Sequence, residues 1–246
     1  MENNINKLKL EFKKAVKMGW IKSDKNNYGT IGETFEKIIG LTPNDLQIPD
    51  FGNIEIKTKS RSLFNYITLF NCVPTGPHYH EIEIIKDLFG YPDAILKDFK
   101  VFNGDVFANK LNKIGNSFQF KLNVYRIKKR ITLSVYDKQS NKIDESTYWD
   151  FDELEEKLNR KLAYLAIVGV KKKIVGNKLI FKYDSLKIYK LKNFKAFIDL
   201  IEKGQIKVTF KISVFKDEKR LGKIHDRGTA FSISEQNINK LFDLIE

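Results

Sequence analysis

Residues 162–170, Leu-Ala-Tyr-Leu-Ala-Ile-Val-Gly-Val, form a nearly continuous apolar run. A run this short, bounded by charged segments, suits a strand buried on both faces, and such strands lie in the middle of a sheet covered above and below. Helical periodicity precedes it at 150–160, with Asp150 or Asp152 near the cap. A hairpin spanning about 174–190 follows it, with Gly176-Asn177 at the turn. The fold class is therefore α/β, with a mixed sheet.

Around this core the pattern predicts helices at 4–19 and 31–40. Thr30 is the expected N-cap of the second, because Glu33 stands at the capping-box spacing. Strands are expected at 53–59 and 66–73, both in the sheet of the apolar run, and a helix near 79–89 precedes a turn at 90–93. The middle is strand-rich, with alternation at 116–126 and 129–137 around a turn at 138–141. A helix at 193–203 ends at Gly204, a residue suited to the left-handed stop position. Strands at 206–216 and 222–233 follow, then a final helix at about 234–245 capped by Ser234.

The segment Pro49-Asp50-Phe51-Gly52-Asn53-Ile54-Glu55-Ile56-Lys57 carries the chemistry. Side chains alternate along a strand, so Glu55 and Lys57 share one face while Ile54 and Ile56 enter a core. Asp50, at the turn before the strand, folds back to meet them. Two carboxylates and an ammonium at one spot describe a Mg2+ site with a water-orienting lysine, the chemistry of phosphodiester cleavage. The competing reading is solvated charge on an edge strand. Glu36, in a glycine-flanked helix start at 29–36, adds a third carboxylate, and free amides at such a start favour anions. The competing reading there is an exposed helix glutamate.

Net charge points to the partner. Lys and Arg number 44 against 31 Asp and Glu, a formal +13, which favours a polyanion, and nucleic acid is the commonest. Lysine-rich composition also arises from biased coding. With 42% hydrophobic residues the chain is globular, and no long uncharged apolar run predicts a membrane helix. The single cysteine, Cys72, excludes an internal disulfide framework, fits a reducing cytoplasm and has no evident partner for nucleophilic chemistry. There is no P-loop, dinucleotide fingerprint or nucleophile elbow.

Two further clusters suit DNA contact. His225, Asp226 and Arg227, with Arg220 and Lys223 nearby, supply donors and acceptors that match base edges. The alternative is a polar turn. His78 and His80 are spaced i, i+2 with no third ligand close in sequence, which is not a zinc signature, so DNA contact or a structural role is expected.

Together these pieces resemble the MvaI/BcnI restriction endonuclease family, in the MutH-like branch of the PD-(D/E)XK nucleases. The resemblance runs in order through Gly29-x-x-Gly32-x-x-x-Glu36, Pro49-Asp50, Glu55-Ile56-Lys57-Thr58, the strand from Tyr66 ending in Pro74-Thr75-Gly76, the apolar run 162–170, the helix-Gly-strand unit 197–206, and Arg227-Gly228-Thr229-Ala230-Phe231. The spacing from Asp50 to Glu55 is shorter than in MutH, and residues about 86–155 lack a clear MutH counterpart.

The resemblance implies a PD-(D/E)XK core of MutH-like type in residues 1–85, to whose sheet strand 161–170 returns. A strand-rich DNA-recognition lobe is implied mainly within 86–246. It implies a type II endonuclease hydrolysing duplex DNA at a short pseudopalindromic, CCWGG-like site and leaving 5′-phosphates. Catalysis would rest on Glu36, Asp50, Glu55 and Lys57. Mg2+ would sit on Asp50, Glu55 and the Ile56 carbonyl, with Glu36 on a second ion or its water; Mn2+ would substitute and Ca2+ would be non-productive. It further implies a cytoplasmic monomer, with a cognate DNA methyltransferase linked genetically. Two alternatives stand beside it: a MutH-like strand-nicking repair enzyme, and a sequence-specific DNA-binding protein without catalysis.

Overall fold

In the computed structural model, which describes residues 2–25, 27–41, 48–60 and 66–246, the apolar run lies within the strand Tyr164–Val175. It has neighbours on both edges. Strand Ile54–Ser60 pairs with it in parallel, with Ile54 opposite Tyr164 and Lys57 opposite Ile167. Strand Lys178–Leu191 pairs with it antiparallel, with Ala166 opposite Ile188. The hairpin turns at Gly176 and Asn177, both at positive φ (53° and 62°), the backbone that two-residue hairpin turns demand.

The chain forms two compact units. The first comprises residues 1–65, 158–192 and 239–246. Its five-stranded sheet has the order Ile21–Lys22, Lys178–Leu191, Tyr164–Val175, Ile54–Ser60, with Phe242–Leu244 also on Lys178–Leu191. Helices Glu2–Lys17 and Gly29–Ile38 contribute Leu8, Ala15, Ile31 and Phe35 to a core shared with Ile54, Ile56, Ala166, Val168, Phe181 and Tyr183. Each such large side chain contributes roughly 1.5–3 kcal/mol through removal from water.

The second unit comprises residues 66–157 and 193–238. One of its sheets runs Tyr66–Asn71, Ala230–Ser234, Ile206–Val214, Lys100–Val106, Tyr91–Pro92, with Ile224–Asp226 also on Ile206–Val214. The other runs Tyr148–Asp150, Arg130–Tyr136, Phe118–Tyr125, Asn112–Ile114, with Lys142–Asp144 on Arg130–Tyr136. Aromatic contacts dominate its core: Trp149 lies against Phe210 and Phe231, and Phe102 against Phe120 and Phe210.

Several local expectations need correction. The strand at 66–71 does not join the sheet of the apolar run; it pairs antiparallel with Ala230–Ser234. The boundaries between the units accordingly fall at 65/66, 157/158, 192/193 and 238/239, not at 85/86. The expected final helix is a 3-10 turn at Glu235–Asn237 and a single α-turn at Ile238–Leu241, after which Phe242–Leu244 becomes a strand. Its apolar spacing suits a helix, but the open edge of Lys178–Leu191 accepts it, with Leu191 opposite Phe242. Thr30 does not cap its helix. Asn27 Oδ1 accepts from the Thr30 amide at 3.0 Å and from its hydroxyl at 3.1 Å. An asparagine outside the capping-box spacing thus satisfies the helix start.

Candidate functional site

Among the described residues the strand Ile54–Ser60 lies at the edge of its sheet, with Tyr164–Val175 as its strand neighbour. Ile54 and Ile56 are buried in the core, so alternation sends Glu55 and Lys57 to the opposite face. A tight turn, with the Phe51 and Ile54 backbones exchanging hydrogen bonds of 2.9 and 3.0 Å, reverses the chain and brings Asp50 back alongside the strand. Asp50 Oδ2 accepts the Ile56 amide at 2.8 Å. A residue's N–H and C=O point to the same side of a strand, so the Ile56 carbonyl also faces the open edge beside Asp50. The expected meeting of Asp50 with the Glu55-Ile56-Lys57 strand is realised through the backbone.

Glu55 is fully buried. Its Oε1 accepts a short hydrogen bond from Lys57 Nζ and lies 3.5 Å from Lys161 Nζ, while its Oε2 is buried with no hydrogen-bond partner. Burial pushes the Glu55 carboxyl up, Asp50 adds to the shift, and Lys57 and Lys161 oppose it. Glu36, half-buried on helix Gly29–Ile38, is likewise raised by burial and then by the charge of Asp50. The three carboxylates share one field. Among the described residues, however, no group of three His, Cys, Asp or Glu side chains converges closely enough to hold a metal ion. Glu36 does not complete a three-carboxylate cage.

The donor set still fits a hard divalent cation. A buried carboxylate oxygen without a partner is costly, and a cation removes that cost. Glu55 Oε2, Asp50 and the outward Ile56 carbonyl supply oxygen ligands from one strand and its turn.

Lys161, on helix Phe151–Leu162, is a site residue that sequence reasoning missed. No spacing rule links it to Glu55. The only local signal is its position in the last turn of a helix leading directly into the apolar strand.

The second unit holds the other predicted residues. His225 stacks on Phe215, with ring centroids 4.1 Å apart and planes within 10°. The Arg220 guanidinium lies 3.8 Å over the same Phe215 ring and is forked onto Asp217. Asp226 Oδ1 accepts the Gly228 amide at 2.7 Å, and the Arg227 amide donates to the Lys211 carbonyl, while the Asp226, Arg227 and Lys223 side chains are exposed. His78 and His80 are exposed on the segment before helix Glu81–Phe89. A groove of about 190 Å³ is lined by His80, Tyr79 and Val73 from that segment and by Ile224 and Asp226 from the other. Of the predicted contact residues, His80 and Asp226 line this groove, one from each cluster.

Cys72 has partners that the sequence did not reveal. Its sulfur lies 3.2 Å from Lys157 Nζ and 3.6 Å from Glu153 Oε1. Burial still pushes the thiol up to about 12, so it is held protonated and is no nucleophile.

No helix among the described residues is long and apolar enough to cross a membrane. Residues 9–242 match the MvaI/BcnI restriction endonuclease family. No curated protein sequence matches. Among solved structures, the restriction endonuclease MvaI in complex with cognate DNA substrate is 30% identical, with 99% of this chain and 98% of that chain covered and a TM-score of 0.91. MvaI in the absence of DNA is also 30% identical, with 99% and 97% covered and a TM-score of 0.64. With the family matched over nearly its whole length, the chain belongs to the MvaI/BcnI restriction endonucleases.

Proposed function

We propose that this site-specific deoxyribonuclease hydrolyses duplex DNA with Mg2+ at a short pseudopalindromic sequence, CCWGG-like by its resemblance to the family. The observation that carries the reading is the buried Glu55 carboxylate, one oxygen on Lys57 and the other without a partner, beside a strand edge that presents Asp50 and the Ile56 carbonyl.

Asp50, Glu55 and the Ile56 carbonyl would hold Mg2+. When bound, the ion supplies charge stabilisation for the phosphorane-like transition state and acidifies water. Lys57 orients the attacking water and offsets negative charge growing on the phosphate oxygens. Lys57 and Lys161 also oppose the burial that raises the Glu55 carboxyl. Glu36, outside the ligand set, acts through its charge and through outer water. The hydroxyl of water joins phosphorus, the P–O3′ bond breaks, and the 3′-oxygen takes the proton, leaving a 5′-phosphate.

His225, Asp226 and Arg227, with His78, His80, Arg220 and Lys223 in support, are proposed as DNA contacts. The groove lined by His80 and Asp226 and the stacked His225 ring support this. MvaI has been seen with cognate DNA, and double-stranded DNA is the partner proposed here. The chain is proposed to act as a monomer in the cytoplasm beside a methyltransferase that protects host DNA.

The test is digestion of plasmid DNA of known sequence with Mg2+, followed by sequencing of the ends. Discrete fragments with a common terminal sequence are expected, lost in Glu55→Ala and Lys57→Ala. Relaxed circles that never become linear would favour a nicking enzyme. Cleavage surviving both substitutions would refute the residue assignment.

A further inference from the structure

The sheet face that carries Glu55 and Lys57 continues into a track of lysines. Glu55 and Lys57 stand opposite Leu165 and Ile167 in parallel register, and partnered residues share a face. Every second residue onward on the same strand leads to Lys171 and Lys173. Their antiparallel neighbours place Lys182 opposite Lys171 and Lys178 opposite Val175. Lys171, Lys173, Lys178 and Lys182 therefore lie on the catalytic face, beyond the end of the catalytic strand.

Residues 171–190 hold seven lysines and one acidic residue, Asp184, a net +6 out of the chain's +13. Lys171 and Lys182 are directly opposed, an arrangement that like charges disfavour, and Asp184, 3.6 Å from Lys171, answers only part of it. The lysines are nonetheless held in place. Lys173 and Lys182 lie 4.2 and 5.1 Å over the Trp20 ring. Trp20 is itself exposed, at 44%. Cations concentrated on one face and fixed on an aromatic ring, with Asp184 as their acidic neighbour among the described residues, suit a regular row of phosphates as counter-charge.

We infer that this face of the hairpin binds the sugar–phosphate backbone of duplex DNA flanking the cleaved site, without reading sequence. The inference rests on the proposed duplex substrate. Lys171 and Lys173 lie four and six residues beyond the level of Lys57, roughly 13–20 Å along the strand, a span of about four to six phosphates on one DNA strand. The hairpin therefore engages DNA outside a short recognition site, supplies salt-sensitive affinity for any duplex, and raises the rate at which long DNA is captured.

The test uses the full chain and duplex DNA with no recognition site, so that it needs no cleavage. Binding is followed across a salt series for the wild type and for K173Q/K178Q/K182Q. The slope of log affinity against log salt flattens by about 0.9 for each phosphate that the protein no longer neutralises, so a change of about 2–3 is expected. Trp20 gives a readout in the unaltered protein: of the two tryptophans, Trp149 is fully buried, so emission that changes on adding this duplex and is abolished in Trp20→Phe reports the hairpin. On cognate substrates the variant should cleave long DNA about tenfold more slowly below saturation and a minimally flanked duplex at the wild-type rate. An unchanged salt slope, or Trp20 emission indifferent to DNA, overturns the inference. A flattened slope in a protein that cuts no DNA upholds it while refuting the nuclease reading.

Discussion

Replacing Glu55 by glutamine should stabilise the metal-free protein while abolishing cleavage. The carboxylate is fully buried, and Oε2 has no partner. An unsatisfied buried polar atom costs about 1–3 kcal/mol, and more when charged. The amide fills the same volume, its oxygen still accepts from Lys57, and its unpaired end is neutral. The raised carboxyl indicates that burial outweighs the pull of Lys57 and Lys161, so removing the charge is net favourable. A gain of about 1 kcal/mol corresponds to roughly 2–4 °C in Tm for a protein of this size. The pH dependence has a definite sign. A carboxyl raised in the folded state binds its proton more tightly than in the unfolded chain, so wild-type stability falls as pH rises from the ordinary glutamate range through the raised value. Glutamine removes that component. Mg2+ reverses the order, because an ion at a hundred times its Kd adds about 2.7 kcal/mol to the wild type and little to the variant. Calorimetry in EDTA and in Mg2+, between about pH 5 and 8, reads all three effects. A variant less stable than the wild type in EDTA throughout that range would refute the reasoning, since the lysine contacts would then exceed the cost of burial.

Lys57→Met should lower the cleavage rate a hundredfold to ten-thousandfold while cognate DNA affinity in Ca2+ stays within a few-fold; single-turnover kinetics and filter binding separate the two. Lys161→Met removes a cation that lowers the Glu55 carboxyl, so the acid limb of the pH–rate profile should move to higher pH, with kcat reduced about tenfold at neutrality. Phe215→Ala removes the ring that fixes His225, and discrimination against single-base variants of the site should fall about tenfold with little change in catalysis at the preferred site. Cys72, buried and held protonated, should resist iodoacetamide in the native protein and react at once in denaturant, by mass spectrometry.

Several features were legible in the sequence because they depend on neighbours in the chain. The apolar run needed strands on both sides, and it has them. Alternation put Glu55 and Lys57 on one face, and Gly176-Asn177 made the hairpin turn. Tertiary structure decided what distant segments supply. Strand Tyr66–Asn71 carries no mark in its own residues to say which sheet it joins; the partner Ala230–Ser234 settled that. The residues at 242–244 have helical spacing yet became a strand because an unpaired edge offered its amides and carbonyls. Lys161 reached Glu55, and His225 and Arg220 met at Phe215, through packing that no local periodicity encodes. The sequence by itself determined which side chains share the Glu55 and Lys57 face of strand Ile54–Ser60, because alternation and charge are local properties. Only the tertiary structure decided that Glu55 keeps an orphaned oxygen, that Glu36 stands outside a three-carboxylate cage among the described residues, and that Lys171, Lys173, Lys178 and Lys182 of the hairpin share the face of Glu55 and Lys57, because burial and register are properties of the whole sheet.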